Sequence, residues 1–388
     1  MAAVNKQKTS IVFTGDIGFD RYMDKRWEDD QLLSRAVLDF FRSADHVVAN
    51  VEGAVISPEE AGKQGEFVHS MDPAVTGVFR KMGADIWAIG NNHIMDAGKP
   101  GLISTRRIAE QLGFCTVGAG LNEEEASRPV YLDEAGGIGI INVTHVIKRQ
   151  ATDTEPGVLN WGNWPCIQRR IDEIRARCRW CVVVCHGGEE FTSLPSPYTR
   201  DRYRKFLEMG AHVVVGHHPH VPENYELFDD GKAIFYSLGN FIFDTNYQRA
   251  HPYTELGVLL KLIFTEDKLD FEAMGIRIVR GEQRIAQGHL PGVFTNIPAE
   301  EYDLLAPLAA KTFLAEEKRR MIYLEPERFA RATPEQWEAY FFSDEPEGYV
   351  AGAHMDFNIM APFAQTAEPG RWKESRLEDV KDYLLAQL

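Results

Sequence analysis

Short runs of apolar, β-branched residues alternate along this chain with segments in which apolar positions recur at helical spacing. Uninterrupted apolar strands separated by helices are typical of sheets that are buried on both faces. The runs that predict strands are "SIVFTGD", "HVVANVE", "DIWAIGNNH", "GIGIINVTH", "CVVVCHGG", "HVVVGHHPH" and "AIFYSLGNFIF". The intervals that predict helices are "DDQLLSRAVLDFFRSA", "PAVTGVFRKMGA", "GLISTRRIAEQLG", "CIQRRIDEIRARC" and "TRDRYRKFLEMGA". The pattern therefore predicts an α/β fold.

The pattern changes towards the end of the chain. The segment "ELGVLLKLIFTEDKLDFEAMGIRIVR" predicts a hairpin of two longer strands that turns at "EDK". After about residue 283, charged helical stretches such as "AEEYDLLAPLAAKTFLAEEKRRM" and "TPEQWEAYFFS" are separated by proline and glycine. We therefore predict a main domain over 1–283 and a C-terminal helical appendage over 284–388 that is not an independent catalytic unit. The apolar stretch "GYVAGAHMDFNIMAPF" within it is expected to cover part of the main domain.

Charge and composition exclude several classes of partner. The net charge of -16 and the pI near 5.3 argue against nucleic acid and against an anionic membrane surface. The absence of a signal-like N-terminus and of an apolar stretch of roughly 18 to 20 residues predicts no membrane insertion and a cytoplasmic protein. Five cysteines fit a reducing compartment, and Cys181 and Cys185 are predicted core thiols, because "CRWCVVVCHGG" lacks the second pair that a zinc ribbon needs.

Potential metal ligands stand where the predicted strands end. Ligands of open α/β sheets bind at the carboxyl ends of the strands. Each such residue taken singly has an ordinary structural explanation, such as capping a turn or packing in the core, but five strand ends together predict a metal site. The residues are Asp16, Asn50, Glu52, Asn91, Asn92, His93, His186, His217, His218 and His220.

The chemistry of this set narrows the choice of metal. Carboxylate, amide oxygen and imidazole together favour Mn, Fe, Zn or Ni over Ca or Mg. Six or so ligands exceed what one tetrahedral zinc takes, whereas two metals bridged by a carboxylate or an amide would use them all. Two-metal sites of this kind activate water and hold the oxygens of a phosphoryl group.

The phrases "GD", "NVE", "GNNH", "CHGGEE" and "GHHPH", in this order, resemble those of the calcineurin-like metallophosphoesterases. With "NNHIMDAGKPGL", "VGAG", "GHHPHV" and "YSLGNFIFD", the chain more closely resembles their capsule-synthesis branch, the CapA-type poly-γ-glutamate biosynthesis proteins. The resemblance covers about residues 9 to 245. It implies a four-layer αββα sandwich of the metallophosphatase type, with a metal site at one edge of the two sheets.

The resemblance also implies roles for individual residues. Asp16 would ligate one metal, and Glu52, or Asn50 beside it, would bridge the two. His217 is an alternative to His218 as a ligand, because "GHHPH" is one residue longer than the phosphoesterase GHxH. The cofactors implied are divalent transition metals, two of them, as Mn, Fe or Zn. The implied ligands are Asp16, Glu52, Asn92, His186, His218 and His220, and the implied acid that protonates the leaving group is His93.

The chain departs from the phosphoesterase pattern at two places. Asp16 is followed by Ile17 and Gly18 in place of the usual Asp-x-His, so one imidazole is missing. Glu52 stands in place of an aspartate, which lengthens the bridging arm by one methylene. Both departures look normal for the capsule-synthesis branch.

Other polar residues near these motifs are assigned to the substrate or to supporting roles. Arg21 would bind an anionic group through its paired fork, with a surface ion pair as the alternative, and Asn91 is a second candidate for substrate binding. Glu189, with Glu190, would hydrogen-bond the imidazole ligands, and Asn240 would hold the histidine loop. His69 and His145 are expected to line the cleft, and His251 is expected to lie on the surface.

The leading hypothesis is a metal-dependent hydrolase in which activated water attacks a phosphoester, a γ-glutamyl bond or a peptide bond. The expected substrate is small and anionic, or γ-glutamyl or peptidic. One alternative is a metal-dependent peptide epimerase, in which a histidine moves the proton of the α-carbon. A second is a non-catalytic capsule-assembly or binding subunit that keeps the fold. The oligomeric state is not predicted.

Overall fold

The computed structural model describes residues 8–61, 68–146, 149–341 and 375–387, and the elements below lie in these ranges. The strands are β1 (Lys8–Ile17), β2 (His46–Val51), β3 (Ala54–Val55), β4 (Ser70–Met71), β5 (Ile86–Ala88), β6 (Cys115–Val117), β7 (Ala119–Gly120), β8 (Val130–Leu132), β9 (Ile138–Thr144), β10 (Gly157–Val158), β11 (Trp180–His186), β12 (Val213–His217), β13 (Tyr225–Leu227), β14 (Ala233–Phe235), β15 (Asn240–Ile242), β16 (Leu256–Thr265), β17 (Leu269–Val279) and β18 (Arg284–Gln287). The helices are α1 (Arg35–Arg42), α2 (Pro58–Ala61), α3 (Thr76–Met82), α4 (Gly98–Gln111), α5 (Glu123–Ala126), α6 (Trp164–Arg177), α7 (Pro197–Glu208), α8 (Asn246–Arg249), α9 (Ala299–Leu324), α10 (Pro326–Phe329), α11 (Pro334–Phe341) and α12 (Ser375–Ala386).

Two large sheets organise the fold. The first has the order β18-β17-β16-β1-β2-β5-β6, and β15 also pairs with β1. The second has the order β13-β14-β12-β11-β9-β8. In each sheet a parallel centre is extended by antiparallel strands: β1, β2, β5 and β6 run parallel in the first, and β9, β11, β12 and β14 in the second. The carboxyl ends of the central strands therefore lie along one edge of each sheet.

Alternation along the strands divides the core into layers. In β1, Phe13 packs between the two sheets while Val12 faces the helices on the outer side of the first sheet. In β11, Val182 packs between the sheets while Val183 faces α6 and α7. The apolar side chains of α1, α3 and α4 cover the outer face of the first sheet. The result is a four-layer αββα sandwich, which confirms the predicted fold class.

The predicted hairpin is also confirmed. β16 and β17 pair antiparallel in an unbroken register from Leu256↔Arg277 to Phe264↔Leu269 and turn at residues 266–268, the predicted "EDK". β18 adds to the outer side of β17, with Ile278 opposite Ile285. The first sheet therefore extends past residue 283, into the range that the sequence assigns to the appendage.

The C-terminal part is helical, as predicted. α9 and α12 pack together through a cluster that includes Tyr302, Leu305, Val380 and Leu384. Leu194, from the loop between β11 and α7, belongs to the same cluster. The C-terminal helices are thus packed onto the main domain. The predicted covering segment "GYVAGAHMDFNIMAPF" lies outside the described residues.

Two other expectations concern the cysteines and the membrane. Cys181 and Cys185 are free, fully buried thiols, which confirms that they are core residues. Burial raises the pKa of each thiol to about 12. Among the helices of the described ranges, none has the length and apolarity to cross a bilayer.

A buried ion network joins α7 to the second sheet. The carboxylate of Glu226 on β13 accepts hydrogen bonds from Nε of Arg200 at 2.7 Å and from the hydroxyl of Tyr236 at 2.6 Å, and it also pairs with Arg204. The side chains of Arg200 and Glu226 are 7% and 2% exposed. We expect Glu226→Ala to lower the free energy of unfolding by about 3–5 kcal/mol, because it leaves a buried guanidinium without its nearest carboxylate.

Urea denaturation of this variant can be compared with Glu208→Ala, which removes the carboxylate of an exposed pair with Lys205 on the same helix. Exposed pairs contribute little to stability, so the control is expected to unfold close to the wild type. Equal unfolding free energies for the two variants would show that the Glu226 network does not stabilise the fold.

Candidate metal centre

The first half of the site is formed by neighbouring strands of the first sheet. Asp16 lies near the end of β1 directly opposite Asn50 of β2, and Glu52 follows β2. All three side chains are 0% exposed. A Cβ atom on Gly15 would lie 2.1 Å from the carbonyl oxygen of Gly239, so only glycine lets β1 approach this closely. The close approach holds Asp16 in place, because its backbone N–H donates to the same carbonyl at 2.9 Å.

The second half comes from the second sheet. His186 ends β11, and its register partner His217 ends β12. The chain then turns sharply, because His218 and His220 have φ values of +99° and +59°, in the left-handed region that non-glycine residues rarely adopt. Each such residue costs of order 1–3 kcal/mol and is typically found at functional sites. The turn directs both imidazoles towards His186 and the first sheet.

Glu52 lies at the centre of the two halves. Its Oε1 is 3.6 Å from Nε2 of His220, 3.7 Å from Nε2 of His186 and 4.0 Å from Nε2 of His93. These separations are too long for hydrogen bonds. Ligand atoms that each bind one metal at about 2.1 Å lie roughly 3 to 4 Å apart, so the distances match those of a ligand set.

Two further observations test whether these residues fit a metal. Within the described ranges, both carboxylate oxygens of Glu52 and Oδ1 of Asn50 are buried without a hydrogen-bond partner. Buried polar atoms are nearly always paired, and a bound ion is one of the few explanations for those that are not. Buried carboxylates and imidazoles also form the donor set that Mn, Fe and Zn prefer. The residues present therefore fit a divalent transition metal.

Burial and mutual charge set the protonation of the cluster. Burial raises the pKa of Glu52 well above its usual range and lowers the pKa of His186 well below it. Burial likewise lowers the pKa of His218 to about 4. Burial alone would lower the pKa of His220 as well, but the carboxylates of Glu52 and Asp16 raise it to about 10, so His220 would have to release a proton on binding a metal. His186 and His218 are therefore neutral at pH 7, the form in which imidazole binds metal.

The geometry defines three overlapping groups of candidate ligands, each with its ligand atoms within 4.8 Å of one another. Glu52 belongs both to the group with His186 and His218 and to the group with Asp16 and His220. These two groups have no other member in common. A single carboxylate shared by two groups is what a bridging ligand requires. The groups are Glu52, His186 and His218; Asp16, Glu52 and His220; and Glu190, His218 and His220.

Asn92 and His93 lie at the edge of this cluster. Oδ1 of Asn92 is 3.0 Å from Nε2 of His186, so the side-chain amide faces the ligands. Nδ1 of His93 is 2.8 Å from Oδ2 of Asp96, which leaves its Nε2 on the side of Glu52. Asp96 in turn accepts from the backbone N–H of His69 and pairs with Arg149. Asp96 therefore fixes the orientation of the His93 ring.

Several predicted site residues occupy supporting positions. His217 lies outside the three groups, and its Nε2 donates to the carbonyl of Thr14 at 2.8 Å, whereas His218 belongs to two of the groups. The amide of Asn91 is buried and braces the backbone, donating to the carbonyl of Val51 and accepting from the N–H of His93. Asn91 therefore supports the backbone beside the site.

Three other residues with predicted roles are an exposed arginine and two buried polar residues. Arg21 is exposed. Glu189 accepts hydrogen bonds from Ser196 and Thr199 at the start of α7. Oδ1 of Asn240 is 2.9 Å from Nδ1 of His220.

The histidines outside the strand ends give a mixed outcome. The ring of His69 lies 4.2 Å from that of His93, and the ring of His145 stacks on Trp161 at 4.2 Å. The expectation that His251 is a surface residue is wrong: it is 4% exposed, and its Nδ1 is 2.7 Å from Oε2 of Glu316. The partner lies far away in sequence, so no local pattern indicates the burial.

Sequence reasoning also misses two residues as principal members of the site. Glu190 belongs to a ligand group, although the sequence suggests only a supporting role for it. Asp96 is not among the residues that the sequence patterns single out. The available signal for Asp96 is its spacing of three residues from His93, which places both side chains on the same face of a helical turn.

Comparison with known proteins identifies the family of this chain. The sequence model of the family described as "Bacterial capsule synthesis protein PGA_cap" matches residues 10–245. The "PGA biosynthesis protein CapA" of Bacillus subtilis (strain 168) is 30% identical over 247 residues, which cover 62% of this chain and 64% of the relative. The "Capsule biosynthesis protein CapA" of Bacillus anthracis is 28% identical over 257 residues, which cover 63% of this chain and 62% of the relative.

The fold and the ligand cluster define an α/β sandwich protein with a candidate metal centre where its strands end. Since the family match spans more than half of the chain, the chain belongs to the bacterial capsule synthesis protein family PGA_cap. It spans less than two-thirds of the length of the two curated relatives above. A solved structure, TT1561 of Thermus thermophilus, aligns over 68% of this chain and 98% of its own length at 10% identity and a TM-score of 0.35.

Proposed function

We propose that this protein is a metal-dependent hydrolase of capsule or poly-γ-glutamate biosynthesis that acts through two divalent metals. The observation that carries the proposal is Glu52, a fully buried carboxylate that is shared by two ligand groups and has no hydrogen bond within the described ranges. Burial without a hydrogen bond is costly for a carboxylate, and its place in two ligand groups distinguishes Glu52 from a carboxylate that is merely buried. A position between two cations would account for both its burial and its lack of hydrogen-bond partners.

The residues of the chain divide into two candidate sets around Glu52. Asp16 and His220 would hold one metal, with Asn50 beside them, since its Nδ2 is 2.8 Å from Oδ1 of Asp16. The other set is His186, His218 and Asn92. Divalent metals, when bound, supply Lewis acidity to a phosphoryl or carbonyl group and lower the pKa of water. Mn, Fe and Zn suit these ligands.

The protein residues would position the substrate and move a proton. Nδ1 of His93 is held by Asp96, and its Nε2 lies on the side of Glu52, 3.1 Å from Nδ2 of Asn92, so this edge of the ring faces the cluster. In this position it would protonate the leaving group of a substrate held there. Burial lowers the pKa of His93, and neighbouring His69 lowers it further. The lowered pKa leaves the ring mainly neutral at pH 7, so His93 would donate from its protonated minority, which is a stronger acid than an ordinary imidazolium.

The proposed substrate is a small anionic or γ-glutamyl compound. Relatives bear the names "PGA biosynthesis protein CapA" and "Probable polyglutamine synthesis accessory protein", the latter from Mycobacterium tuberculosis (strain ATCC 25618 / H37Rv) at 23% identity over 57% of this chain and 61% of the relative. We extend this substrate class to the present chain. A cytoplasmic location, an absence of nucleic-acid partners and the candidate substrate contact of Arg21 remain part of the proposal.

Elemental analysis of the purified chain tests the proposal directly. After reconstitution with Mn, Fe or Zn and removal of loose metal, we expect about two equivalents per chain. Hydrolysis of a panel of phosphoesters and γ-glutamyl peptides is expected to stop when a chelator removes the metal and to resume when the metal is restored. One equivalent or none would contradict the binuclear site, and two equivalents without hydrolysis of any member would contradict the hydrolase.

A further inference from the structure

The loop between β11 and α7, residues 187–196, forms one wall of the candidate metal centre. It begins directly after His186 and carries Glu190, a member of the third ligand group. Its outer side is covered by C-terminal elements: Leu194 packs with α9 and α12, and the hydroxyl of Tyr302 on α9 donates to the carbonyl of Pro195 at 2.7 Å. Both helices lie outside residues 10–245, the part of the chain that defines the family.

Gln387, directly after α12, makes two further contacts with this loop. Its Nε2 donates to the carbonyl of Phe191 at 2.7 Å, and its Oε1 accepts from the N–H of Ser193 at 3.2 Å. Gln387 is 0% exposed. One side chain thus satisfies two backbone groups of the loop, and it does so in a buried setting where the loss of either bond leaves a polar group unpaired.

Phe191 connects Gln387 to the histidine ligands. Its φ of +61° lies in the left-handed region, so surrounding contacts must hold it there. Its N–H donates at 2.8 Å to the carbonyl of Pro219, the residue between His218 and His220. The carbonyl of Phe191 is therefore bonded to the side chain of Gln387, and its N–H is bonded to the turn that carries His218 and His220.

The ring of Phe191 makes a second connection. It stacks on His251 at 3.9 Å with an interplanar angle of 9°, and on His220 at 5.8 Å with an angle of 23°. His251 is held from its other side by Glu316 of α9, with 2.7 Å between Nδ1 and Oε2. The side chains of His251 and Glu316 are each 2% exposed. A stack of three rings therefore runs from α9 to a candidate ligand.

We propose that Gln387 and Glu316, from the C-terminal part of the chain, are positioning residues of the metal centre. They hold Phe191 and, through it, the His218–His220 turn. This inference rests on the proposed metal site. The turn is strained at both histidines, so its ligating geometry depends on outside contacts. The hydrogen bonds of Gln387 supply these contacts through the backbone of Phe191. The stack of three rings supplies them at the imidazole of His220.

Isothermal titration of the full chain with Mn²⁺ and with Zn²⁺ at 25 °C tests the inference. We expect Gln387→Ala and Glu316→Ala each to weaken affinity about 10- to 100-fold with unchanged stoichiometry, as the loss of a residue that orients a ligand does. Glu316→Gln retains an acceptor for His251 and is expected to restore most of the affinity. The matched control is Gln336→Ala on α11, whose Oε1 accepts from the backbone of Thr333, away from the loop.

Melting temperatures measured without metal separate positioning from stability. If both alanine variants melt earlier but bind metal as tightly as the wild type, the segment only stabilises the fold and the inference is overturned. If Gln387→Ala does not fold, the Glu316→Ala and Glu316→Gln pair decides between these outcomes. A wild-type chain that binds neither ion would overturn the proposed function and this inference together, whereas a wild type that binds and variants that match it would overturn the inference alone.

Discussion

Glu52→Gln is expected to weaken the binding of Mn²⁺ or Zn²⁺ by more than about 100-fold while leaving the metal-free protein folded. Loss of residues that merely orient ligands costs about 10- to 100-fold, and a bridging carboxylate contributes directly to two ligand groups. Glutamine keeps the shape of the side chain, and burial already raises the pKa of Glu52 towards the neutral form. The substitution therefore removes metal binding with little change to packing.

Thermal or urea unfolding gives a second measure of the same effect. A ligand at 100 times its Kd stabilises the folded state by about 2.7 kcal/mol. If the Kd of Glu52→Gln rises 100-fold, the same metal concentration stabilises that variant by only about 0.4 kcal/mol. The expected result is a wild type whose unfolding free energy rises on addition of metal and a variant whose unfolding free energy hardly changes.

The chain offers a matched control in Glu223. It is 1% exposed, both its carboxylate oxygens lack hydrogen-bond partners within the described ranges, and burial raises its pKa well above the usual range. It lies outside the three ligand groups. Glu223→Gln is expected to keep the metal response. Loss of the response in both variants would mean that any buried glutamate matters equally, and retention in Glu52→Gln would contradict the bridging role.

The sequence predicts most of this cluster because its members follow strands with unmistakable patterns. His186 ends an apolar run, and Asp16 and Glu52 end two others, so the rule for parallel sheets places them at one edge. The rule works because hydrophobic alternation and strand direction are local properties. It requires no knowledge of which helix covers which face.

The adjacent residues Glu189 and Glu190 show where that reasoning ends. Glu189 accepts hydrogen bonds from Ser196, the residue that caps α7, whereas Glu190 joins a ligand group. Gly188 and Phe191 on either side have φ values of +124° and +61°, so the side chains do not alternate as in a strand. Periodicity cannot predict directions in such a loop, because backbone strain there is maintained by distant contacts.

His251 and Gln387 illustrate the second limit. His251 pairs with a carboxylate 65 residues later, and Gln387 bonds a loop that lies 196 residues earlier. Such contacts arise from packing of the C-terminal helices on the main domain. A division into a main domain and an appendage therefore follows composition well but hides a structural dependence between the two.

His93→Ala is expected to lower kcat by about 10²- to 10⁴-fold, the range that general acid catalysis supplies. The effect should depend on the leaving group. An alkoxide needs a proton to depart, whereas a nitrophenolate departs without one, so the loss is expected to be large for alkyl phosphoesters and small for nitrophenyl esters. Asp96→Asn is expected to reduce kcat in the same pattern but less, because the ring of His93 remains while its orienting carboxylate is lost.

His46→Ala provides the control for a histidine that has a carboxylate partner but lies elsewhere. His46 starts β2, at the opposite end of the strand from Glu52, and its Nδ1 is 2.6 Å from Oδ2 of Asp85. Its loss is expected to leave kcat unchanged for both classes of ester. An equal loss for alkyl and nitrophenyl esters in His93→Ala would assign His93 to substrate or metal binding, because general acid catalysis must discriminate between leaving groups.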